Sequence, residues 1–465
     1  MNNILNFKSK SGTEYIYDSR YNIVYSKKRL NDDNFQNKLN DIQNNFVDSS
    51  VEDSIDSYEL NEDKIKNYIF KNGLKEFLLE VTTGCNLRCK YCVFSQNYSN
   101  NRDHGNKLLS YEQALKSVKF YLDLCEKARS YNPNIKPMIG FYGGEPLLNY
   151  QVIKDIVIQF KNDDIFKDIE FTITTNGLLL DEEKIDFFIE NNVIVLFSLD
   201  GSKSQHDRNR VDINGNGTFD AAMKNINKYI EKKGFAFTNS VYDLKSNLRE
   251  IARFFDSHPK IMSMAFSPVN DNNTTYYDRF SEKEIIKFRQ ELDEIYLEFI
   301  NEKNLYNNKT EDFLINWITK SSSGVMTRIP FQKKSGLINY TGGCVPADKM
   351  FANIDGDILI CEKLNNSYKI GNIENGLDYK KIIKIVNDYN NTTKKCKDCI
   401  LNKMCSICLA SCGSDGSLLL TEERCREERR SIKQRLELAY TILEKNGNWF
   451  EIFNNNYQKE LRGGS

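Results

Sequence analysis

The sequence predicts an α/β fold: a partial (β/α)6 TIM-like barrel, with a small winged-helix-like domain before it and a cysteine-rich domain after it. A strand–helix rhythm begins at residue 76, a hairpin pattern precedes it, and eight of the twelve cysteines lie from Cys344 to Cys425. Such alternation indicates a parallel sheet with helices outside it, in a barrel or an open sheet. Six strand–helix units are too few for an eight-stranded barrel, which favours a partial barrel.

Residues 1–74 are expected to form the first domain. Segments 15–18 and 21–26 are rich in Tyr, Ile and Val, which predicts two β-strands around a short turn. Segments 31–45 and 61–72 are predicted as short helices. A hairpin and two helices in a segment of this length are typical of a small winged-helix-like domain.

Residues 75–310 are expected to form the barrel, in which strands and helices alternate. The predicted strands are 77–81, 138–142, 169–175, 194–199, 235–241 and 262–267. The predicted helices between and after them are 110–129, 151–161, 181–191, 219–232 and 246–257. In such folds the active site lies in the loops at the carboxyl ends of the strands, and the motifs described below occupy those loops.

The remainder of the chain divides into three predicted parts. Helices are expected at 281–302 and 310–320, and residues 311–342 form a bridging helix and loop. The cysteine-rich domain then spans 343–426. Residues 427–465 are expected to hold a charged helix, predicted at 426–445, and a tail.

Composition excludes several classes of protein. The 64 basic and 65 acidic residues are mixed along the chain, which argues against a nucleic-acid partner. The N-terminus has no apolar signal region, and no apolar run reaches the roughly 20 residues of a membrane span. The sequence therefore predicts a cytoplasmic protein with no membrane partner. Twelve cysteines in a reducing compartment indicate metal binding or catalysis, and with three histidines they favour iron–sulfur clusters or cysteine-only zinc sites.

The loop after the first barrel strand contains three cysteines: Cys85, Cys89 and Cys92. Three thiolates in one short loop can bind three irons of a cubane and leave the fourth iron without a protein ligand. Such a vacancy permits substrate binding, whereas clusters with four cysteine ligands serve electron transfer. The alternative is a zinc knuckle that lacks one ligand.

The spacing of these cysteines, with Tyr91 before the last one, resembles the signature of the radical S-adenosylmethionine (SAM) superfamily. The resemblance implies a 4Fe–4S cluster whose open iron is chelated by the methionine part of S-adenosyl-L-methionine. One electron then breaks the sulfonium C–S bond, and the 5′-deoxyadenosyl radical removes hydrogen from a substrate. Tyr91 is expected to lie against the adenine.

Further motifs at strand ends match the same superfamily. Gly143, Gly144 and Glu145 resemble its Gly-Gly-Glu-Pro motif, which binds the methionine amino group. Glycines allow close backbone approach, and Glu145 offers an acceptor. Asn176, in Thr-Thr-Asn-Gly at the third strand, is expected either to contact the cofactor or to cap the turn.

The fourth strand ends near Ser198 and Asp200, which can bond ribose hydroxyls, and Arg210 follows shortly after. By the resemblance, Ser198 contacts the cofactor and Arg210 its carboxylate. Asp200 is a further candidate contact. Arg208 is expected to be a solvated charge, and His206 to have a structural role.

Three other residues have mainly structural interpretations. Met264 either touches adenine or belongs to the core. Cys125 is expected to be a buried apolar residue. His104 follows the cluster loop, and the sequence assigns it no role. No catalytic acid or base can be identified from the sequence.

The C-terminal cysteines can form a structural zinc ribbon or fill two four-cysteine cubanes. Their order resembles the SPASM extension of radical SAM enzymes, which favours two auxiliary 4Fe–4S clusters. The resemblance assigns Cys344, Cys361 and either Cys408 or Cys412 to the first cluster. It assigns the second cluster to Cys396, Cys399, Cys405 and Cys425. The chain departs from the usual pattern at Leu409, where a cysteine is expected, with Cys408 and Cys412 on either side.

The resemblance covers residues 76–426 and implies action on peptides or proteins. Maturases of ribosomally made peptides often begin with a small domain that binds the leader of a precursor, and an exposed strand edge can accept an extended peptide. The leading hypothesis is a thioether-forming maturase of the sactipeptide or ranthipeptide type, with a precursor peptide as partner and reduced flavodoxin or ferredoxin as electron donor. The alternatives are a formylglycine-forming sulfatase maturase, a peptide epimerase or carbon–carbon cross-linker, and a non-catalytic electron-transfer or binding module.

Overall fold

The computed structural model describes residues 3–49, 60–98, 101–161, 168–301, 313–326, 337–338, 343–414, 416–445 and 447–448. The predicted C-terminal tail beyond 448 and the first residues of the helix predicted at 310–320 lie outside the described residues. Within the described parts of the chain, none of the helices combines the length and the apolar character needed to cross a bilayer.

The N-terminal residues form a three-stranded antiparallel sheet and two helices. The strands lie in the order β1 (Ile4–Lys8), β2 (Glu14–Asp18) and β3 (Ile23–Ser26), and the helices are α1 (Asp33–Ser49) and α2 (Glu62–Asn72). The hairpin of β2 and β3 matches the two strands expected from the sequence, whereas β1 was not predicted. Asn61 caps α2 by accepting a hydrogen bond from the Lys64 amide.

A mixed ten-stranded sheet contains the six strands predicted for residues 75–310, and this confirms the α/β class. The six strands are parallel and follow one another in chain order: β4 (Glu76–Thr82), β5 (Met138–Gly143), β6 (Glu170–Thr175), β7 (Ile194–Ser198), β8 (Ala236–Tyr242) and β9 (Ile261–Pro268). Because they are parallel, their carboxyl ends meet at one edge of the sheet.

Helices connect these strands and bury their apolar faces against the sheet. They are α3 (Tyr111–Ala128), α4 (Tyr150–Lys161), α5 (Glu182–Glu190), α6 (Lys203–Asp207), α7 (Phe219–Lys233) and α8 (Leu248–Ser257). Side chains cap α3, α5 and α8 at Ser110, Asp181 and Asn247, each of which accepts a backbone N–H. The short helix α6 was not predicted.

Four strands from the cysteine-rich region extend the same sheet beyond β4. They are β10 (Lys349–Ala352), β11 (Asp357–Leu359), β12 (Lys369–Asn372) and β13 (Gly376–Leu377). β10 pairs with β4 in parallel, and the other three pairings are antiparallel. The cysteine-rich region is therefore hydrogen-bonded directly to β4, the first of the six parallel strands.

The remaining helices and the last two strands follow β9 in the chain. The helices are α9 (Glu282–Asn301), α10 (Phe313–Met326), α11 (Tyr379–Thr392), α12 (Leu409–Cys412) and α13 (Glu422–Lys445). A small hairpin joins β14 (Gly413–Ser414) and β15 (Ser417–Leu418). Helix α11 was not predicted from the sequence, and α13 begins four residues earlier than expected.

Candidate active site

The cluster loop, residues 85–92, follows β4 at the carboxyl edge of the sheet. The thiols of Cys85, Cys89 and Cys92 are half-buried. Burial raises the pKa of both Cys85 and Cys89 to about 12. Iron binds thiolates, so metal binding at these side chains is coupled to the release of their protons.

The Gly-Gly-Glu segment after β5 packs backbone against backbone on the start of the cluster loop. The Gly144 amide donates to Thr82 O (3.0 Å), and the Glu145 amide donates to Gly84 O (2.8 Å). A Cβ atom on Gly144 would lie 1.9 Å from Gly84 O, and one on Gly143, whose φ is +147°, would lie 2.3 Å from Thr82 O. A side chain at either position would separate the two loops.

The Glu145 carboxylate is buried between the ends of β5 and β6. Its Oε1 accepts from the Thr175 hydroxyl (2.6 Å) and the Leu147 amide (3.1 Å), and its Oε2 accepts from the Asn176 amide (2.8 Å). Burial raises the pKa of Glu145, and these donors oppose the rise. The side chain is thus fixed at the end of β5.

Asn176 caps a turn and also contacts the cluster loop. Its side-chain oxygen accepts from the Leu178 amide (3.0 Å), and its side-chain nitrogen donates to Asn86 Oδ1 (2.8 Å). The structure therefore supports the turn-capping interpretation of Asn176.

A buried carboxylate organises the end of β7. Asp200 Oδ2 accepts from the Tyr91 hydroxyl and from Arg210 Nε (3.0 Å), and Asp200 Oδ1 accepts from the Val241 amide (3.1 Å). The guanidinium carbon of Arg210 lies 5.4 Å from the Tyr91 ring centroid, and Arg210 Nη1 lies 4.0 Å from Cys89 Sγ. Asp200 thus holds the Arg210 cation beside the cluster loop and the Tyr91 ring within it, and Ser198 ends the strand on the same edge.

His206 has a structural role, as predicted. Its Nδ1 accepts from the Asp200 amide (3.5 Å), and its Nε2 lies 3.2 Å from the Thr218 hydroxyl. That hydroxyl donates to Arg210 O, so Nε2 carries the proton. Burial lowers the pKa of His206 to about 3, which keeps the ring neutral.

The expectation that Arg208 is a solvated charge is wrong. Arg208 Nη1 contacts both oxygens of the buried Asp243 (2.8 and 2.7 Å), and Nη2 donates to the Ser246 hydroxyl (2.9 Å). Asp243 also accepts from the Tyr276 hydroxyl and from Asn209 Nδ2 (3.0 Å). The partner is 35 residues away in sequence, so local sequence reasoning could not find it.

The segment that carries this ion pair is also hydrogen-bonded to the cluster loop. The backbone oxygens of Asn209 and Arg208 accept hydrogen bonds from the Lys90 amide (2.9 Å) and the Lys90 ammonium (2.8 Å). Burial would raise the pKa of Asp243, but the hydrogen bonds and charge of Arg208, with further donors, lower it to about 2. The ionised pair therefore fixes the segment that presents Arg210.

The remaining residues singled out from the sequence lie as follows. Cys125 is fully buried on α3, as predicted, and burial raises its pKa to about 12. Met264 lies within β9. His104 is half-buried, and among the described residues its Nδ1 has no hydrogen-bond partner; burial lowers its pKa to about 4.

A cavity of about 510 Å³ lies between the segments that flank the cluster loop and the cysteine-rich region. Its wall includes Glu80 of β4, Thr83 and Phe94 from both sides of the cluster loop, and Glu362, which follows Cys361. Glu80 is buried; it accepts from Arg102 and from the Ile354 amide (3.0 Å). Sequence analysis missed Glu80, although one acidic residue within an apolar strand was a visible signal.

The C-terminal cysteines differ in position and in burial. The four assigned to the second cluster line a cavity of about 180 Å³: Cys396, Cys399, Cys405 and Cys425. Of the others, Cys344 is exposed, Cys361 and Cys408 are half-buried, and Cys412 is buried. In the described residues no three Cys, His, Asp or Glu side chains surround one point closely enough for a single metal ion. The thiolates of a cubane bind different irons and lie farther apart.

Comparison with known proteins identifies the class to which this arrangement belongs. Residues 79–257 match the model of the Radical SAM superfamily. Similar proteins include the radical SAM cyclopropyl synthase TigE of Paramaledivibacter caminithermalis, 27% identical over 44% of this chain and 44% of TigE. The cysteine-type anaerobic sulfatase-maturating enzyme of Clostridium novyi is 25% identical over 72% of this chain and 87% of that enzyme.

Two solved structures have the same fold. Native anSMEcpe with bound AdoMet is 21% identical, with a TM-score of 0.56 over 82% of this chain and 99% of its own. Streptococcus suis SuiB bound to S-adenosylmethionine is 15% identical, with a TM-score of 0.50 over 90% of this chain and 98% of its own. Residues 79–257 therefore form a radical SAM domain, and the chain is an enzyme.

The residues at this edge fit the cofactors of the class, S-adenosyl-L-methionine and a 4Fe–4S cluster. Three thiols in one loop provide the soft ligands that iron–sulfur clusters use. A buried carboxylate, Glu145, and a buried guanidinium, Arg210, stand at the neighbouring strand ends, with opposite charges for the two ends of an amino acid. The cysteine-rich C-terminus is consistent with auxiliary clusters.

We predict that Gly144→Ala disrupts the cluster loop. The new methyl group would meet the Gly84 carbonyl, which is backbone and cannot rotate away, and overpacking of this kind costs about 1–3 kcal/mol. After anaerobic reconstitution, the variant should hold about four fewer irons per chain than the wild type and unfold at a lower urea concentration.

Gly324→Ala is the matched control, because Gly324 lies within α10 and a Cβ there meets nothing within 4 Å. It should retain full iron. A Gly144→Ala protein with wild-type iron and stability would contradict the proposed packing.

We predict that Asp243 contributes to acid sensitivity. Its folded pKa of about 2 lies below the ordinary 3.8, so its contribution is complete above about pH 4 and is lost as pH falls towards 2. The difference corresponds to about 2 kcal/mol of unfolding free energy. In urea unfolding at several pH values between about 6 and 3, stability should fall less steeply for Asp243→Asn than for the wild type.

Asp243→Asn should already be less stable at neutral pH, because it leaves Arg208 without its buried partner. The control is Asp220→Asn, whose carboxylate is 72% exposed, and it should follow the wild-type curve. Equal pH slopes for Asp243→Asn and the wild type would refute this role.

Proposed function

We propose that this enzyme modifies a ribosomally made precursor peptide and joins a cysteine sulfur to a carbon of another residue. Its relationship to sulfatase-maturating enzymes and to TigE supports a peptide or protein substrate. The observation that carries the proposal is the N-terminal three-stranded sheet, which ends in the edge strand β3.

The proposed assignment of cofactor ligands follows the strand ends. When bound, S-adenosylmethionine and a reduced cluster supply a 5′-deoxyadenosyl radical, which removes hydrogen from the substrate. We assign the cluster to Cys85, Cys89 and Cys92. Glu145 has capacity left on its carboxylate to accept from the methionine ammonium, which fits beside the Gly143–Gly144 backbone.

Four further side chains complete the proposed cofactor site. Arg210 would bind the methionine carboxylate, with its guanidinium oriented by Asp200. Tyr91 would lie against the adenine, and Ser198 would donate to the ribose. Asp200 and Asn176 act mainly by positioning Arg210 and the cluster loop, which their hydrogen bonds support.

Thioether formation balances as a two-electron oxidation of the peptide. One precursor carbon loses a hydrogen atom, a cysteine sulfur loses a proton, and one electron leaves as the C–S bond forms. Two auxiliary clusters in a SPASM-type region would accept that electron, and reduced flavodoxin or ferredoxin would supply the electron for cofactor cleavage. The cavity beside Glu80 and Arg102, between the cluster loop and the cysteine-rich region, is the proposed place of the substrate.

The N-terminal sheet supports leader binding. The Phe7 ring of β1 packs against the Tyr440 ring of α13, with their centroids 5.6 Å apart. The Lys10 amide donates to the Thr441 hydroxyl of the same helix (2.8 Å). β3 forms the opposite edge, so an extended leader can pair with it as a fourth strand. Lys28 and Arg29, both exposed, lie in the short helical turn that begins just after β3 and favour an acidic leader.

The second candidate is a formylglycine-forming sulfatase maturase. The alignment with the C. novyi enzyme spans 87% of that relative, which favours this function. One observation argues against this function. The structural match to anSMEcpe spans 99% of that protein but leaves nearly a fifth of this chain unmatched. SuiB, which has the same fold, leaves a tenth unmatched.

The two candidates give different products in an anaerobic reaction with S-adenosylmethionine and dithionite. We predict 5′-deoxyadenosine, and a loss of two hydrogens from a short cysteine-containing peptide encoded beside the gene. Tandem mass spectrometry should locate the loss between a cysteine and another residue. Cys89→Ala should abolish both products. Formylglycine in a peptide from a neighbouring sulfatase would support the second candidate instead.

We predict that Lys28→Glu with Arg29→Glu weakens precursor binding at least tenfold, since two cations beside β3 become anions facing an acidic leader. Fluorescence anisotropy of the labelled leader measures the effect, which should shrink as salt is raised. The control is Lys260→Glu, which reverses the charge of an exposed residue just before β9. Deletion of residues 1–74 is a poor test, because α2 buries Ile65 and Ile69 in the main core. Unchanged leader affinity in the double variant would argue against binding at β3.

A further inference from the structure

The cysteine-rich region contains one complete set of four thiols. Cys396, Cys399, Cys405 and Cys425 line a single cavity of about 180 Å³, together with apolar side chains such as Ile407 and Ile432. Four thiolates satisfy all four irons of a cubane. Cys408 and Cys412 are not among the residues that line this cavity, so the second cluster requires neither of them.

Cys408 lies next to the segment that begins the other set. A Cβ atom on Gly343 would lie 3.1 Å from Cys408 Cα and 3.2 Å from the Ile407 carbonyl oxygen. The backbone before Cys344 therefore touches the backbone of Cys408. This contact brings Cys344 and Cys408 together although they are far apart in sequence.

The surroundings of the Cys408 sulfur agree with this packing. Cys408 Sγ lies 3.6 Å from the Ser411 hydroxyl. A hydroxyl that can donate to a ligating sulfur is a usual neighbour of cluster thiolates.

Cys412 has a different environment. It ends α12 with 2% of its surface exposed, and its carbonyl oxygen accepts from the Leu419 amide (2.8 Å). It is the least exposed of the eight cysteines from Cys344 to Cys425. Buried thiols of this kind usually serve as small apolar side chains.

We propose that Cys344, Cys361 and Cys408 hold the first auxiliary cluster, and that Cys412 is a packing residue that ligates neither auxiliary cluster. The inference rests on the proposed function, since it presupposes iron–sulfur clusters in this region. It also specifies the first cluster as one held by three thiolates. One of its irons therefore has no cysteine ligand and is available to another ligand.

The test compares alanine variants of the full chain after anaerobic reconstitution, by iron analysis and electron paramagnetic resonance of the reduced protein. Cys408→Ala should lose about four irons per chain and the same signal that Cys344→Ala and Cys361→Ala lose. Cys396→Ala should lose a different signal. Cys412→Ala should keep the iron content and spectrum of the wild type.

Loss of a cluster in Cys412→Ala, or full iron in Cys408→Ala, would overturn the assignment. The second-cluster signal reports whether Cys408→Ala has folded. If it does not fold, Cys412→Ala decides alone, because retained iron supports the proposal and lost iron refutes it. Failure of the proposed function has a separate signature: a wild-type protein with its clusters assembled that leaves the precursor peptide unmodified.

Discussion

The contact between Gly144 and Gly84 is the constraint on which the rest of the site depends. Here two loops at adjacent strand ends touch through backbone atoms, with no room for a Cβ. The position of the cluster loop relative to Glu145 is therefore set by peptide geometry, which varies far less than side-chain rotamers. Glu145 in turn fixes the end of β6 relative to β5, since its carboxylate accepts a hydrogen bond from the Asn176 amide.

A buried ion pair between Asp200 and Arg210 fixes the side chains at the end of β7, the fourth parallel strand. Removing a carboxylate from water costs several kcal/mol unless partners replace the lost hydrogen bonds. Asp200 has such partners in Tyr91, Arg210 and the Val241 amide. Because this network is satisfied, Arg210 keeps one orientation beside Cys89. A guanidinium fixed in advance binds an anion without a further loss of side-chain entropy.

The sequence predicted the parts of the fold that depend on local pattern. Strand–helix periodicity identified all six parallel strands within one residue, since that period is a property of consecutive side chains. Two kinds of feature were missed. β10–β13 are short strands, and β10 reaches the sheet by pairing with β4, some 270 residues away in sequence. The hydrogen bonds of Arg208 and Glu80 likewise go to partners that are distant in sequence, Asp243 and the Ile354 amide. No local motif predicts these partners.

One helix connects the cysteine-rich region to the N-terminal sheet. Cys425 lies in the first turns of α13, and Tyr440 of the same helix packs against Phe7 and Tyr15. At 1.5 Å per residue, these two points on α13 are about 22 Å apart along a rigid rod. A peptide bound to the N-terminal sheet, as proposed, would therefore be held at a fixed distance from the second set of thiols. Because β10 joins the same region to β4, the sheet, the thiols and the cavity beside Glu80 form one continuous framework.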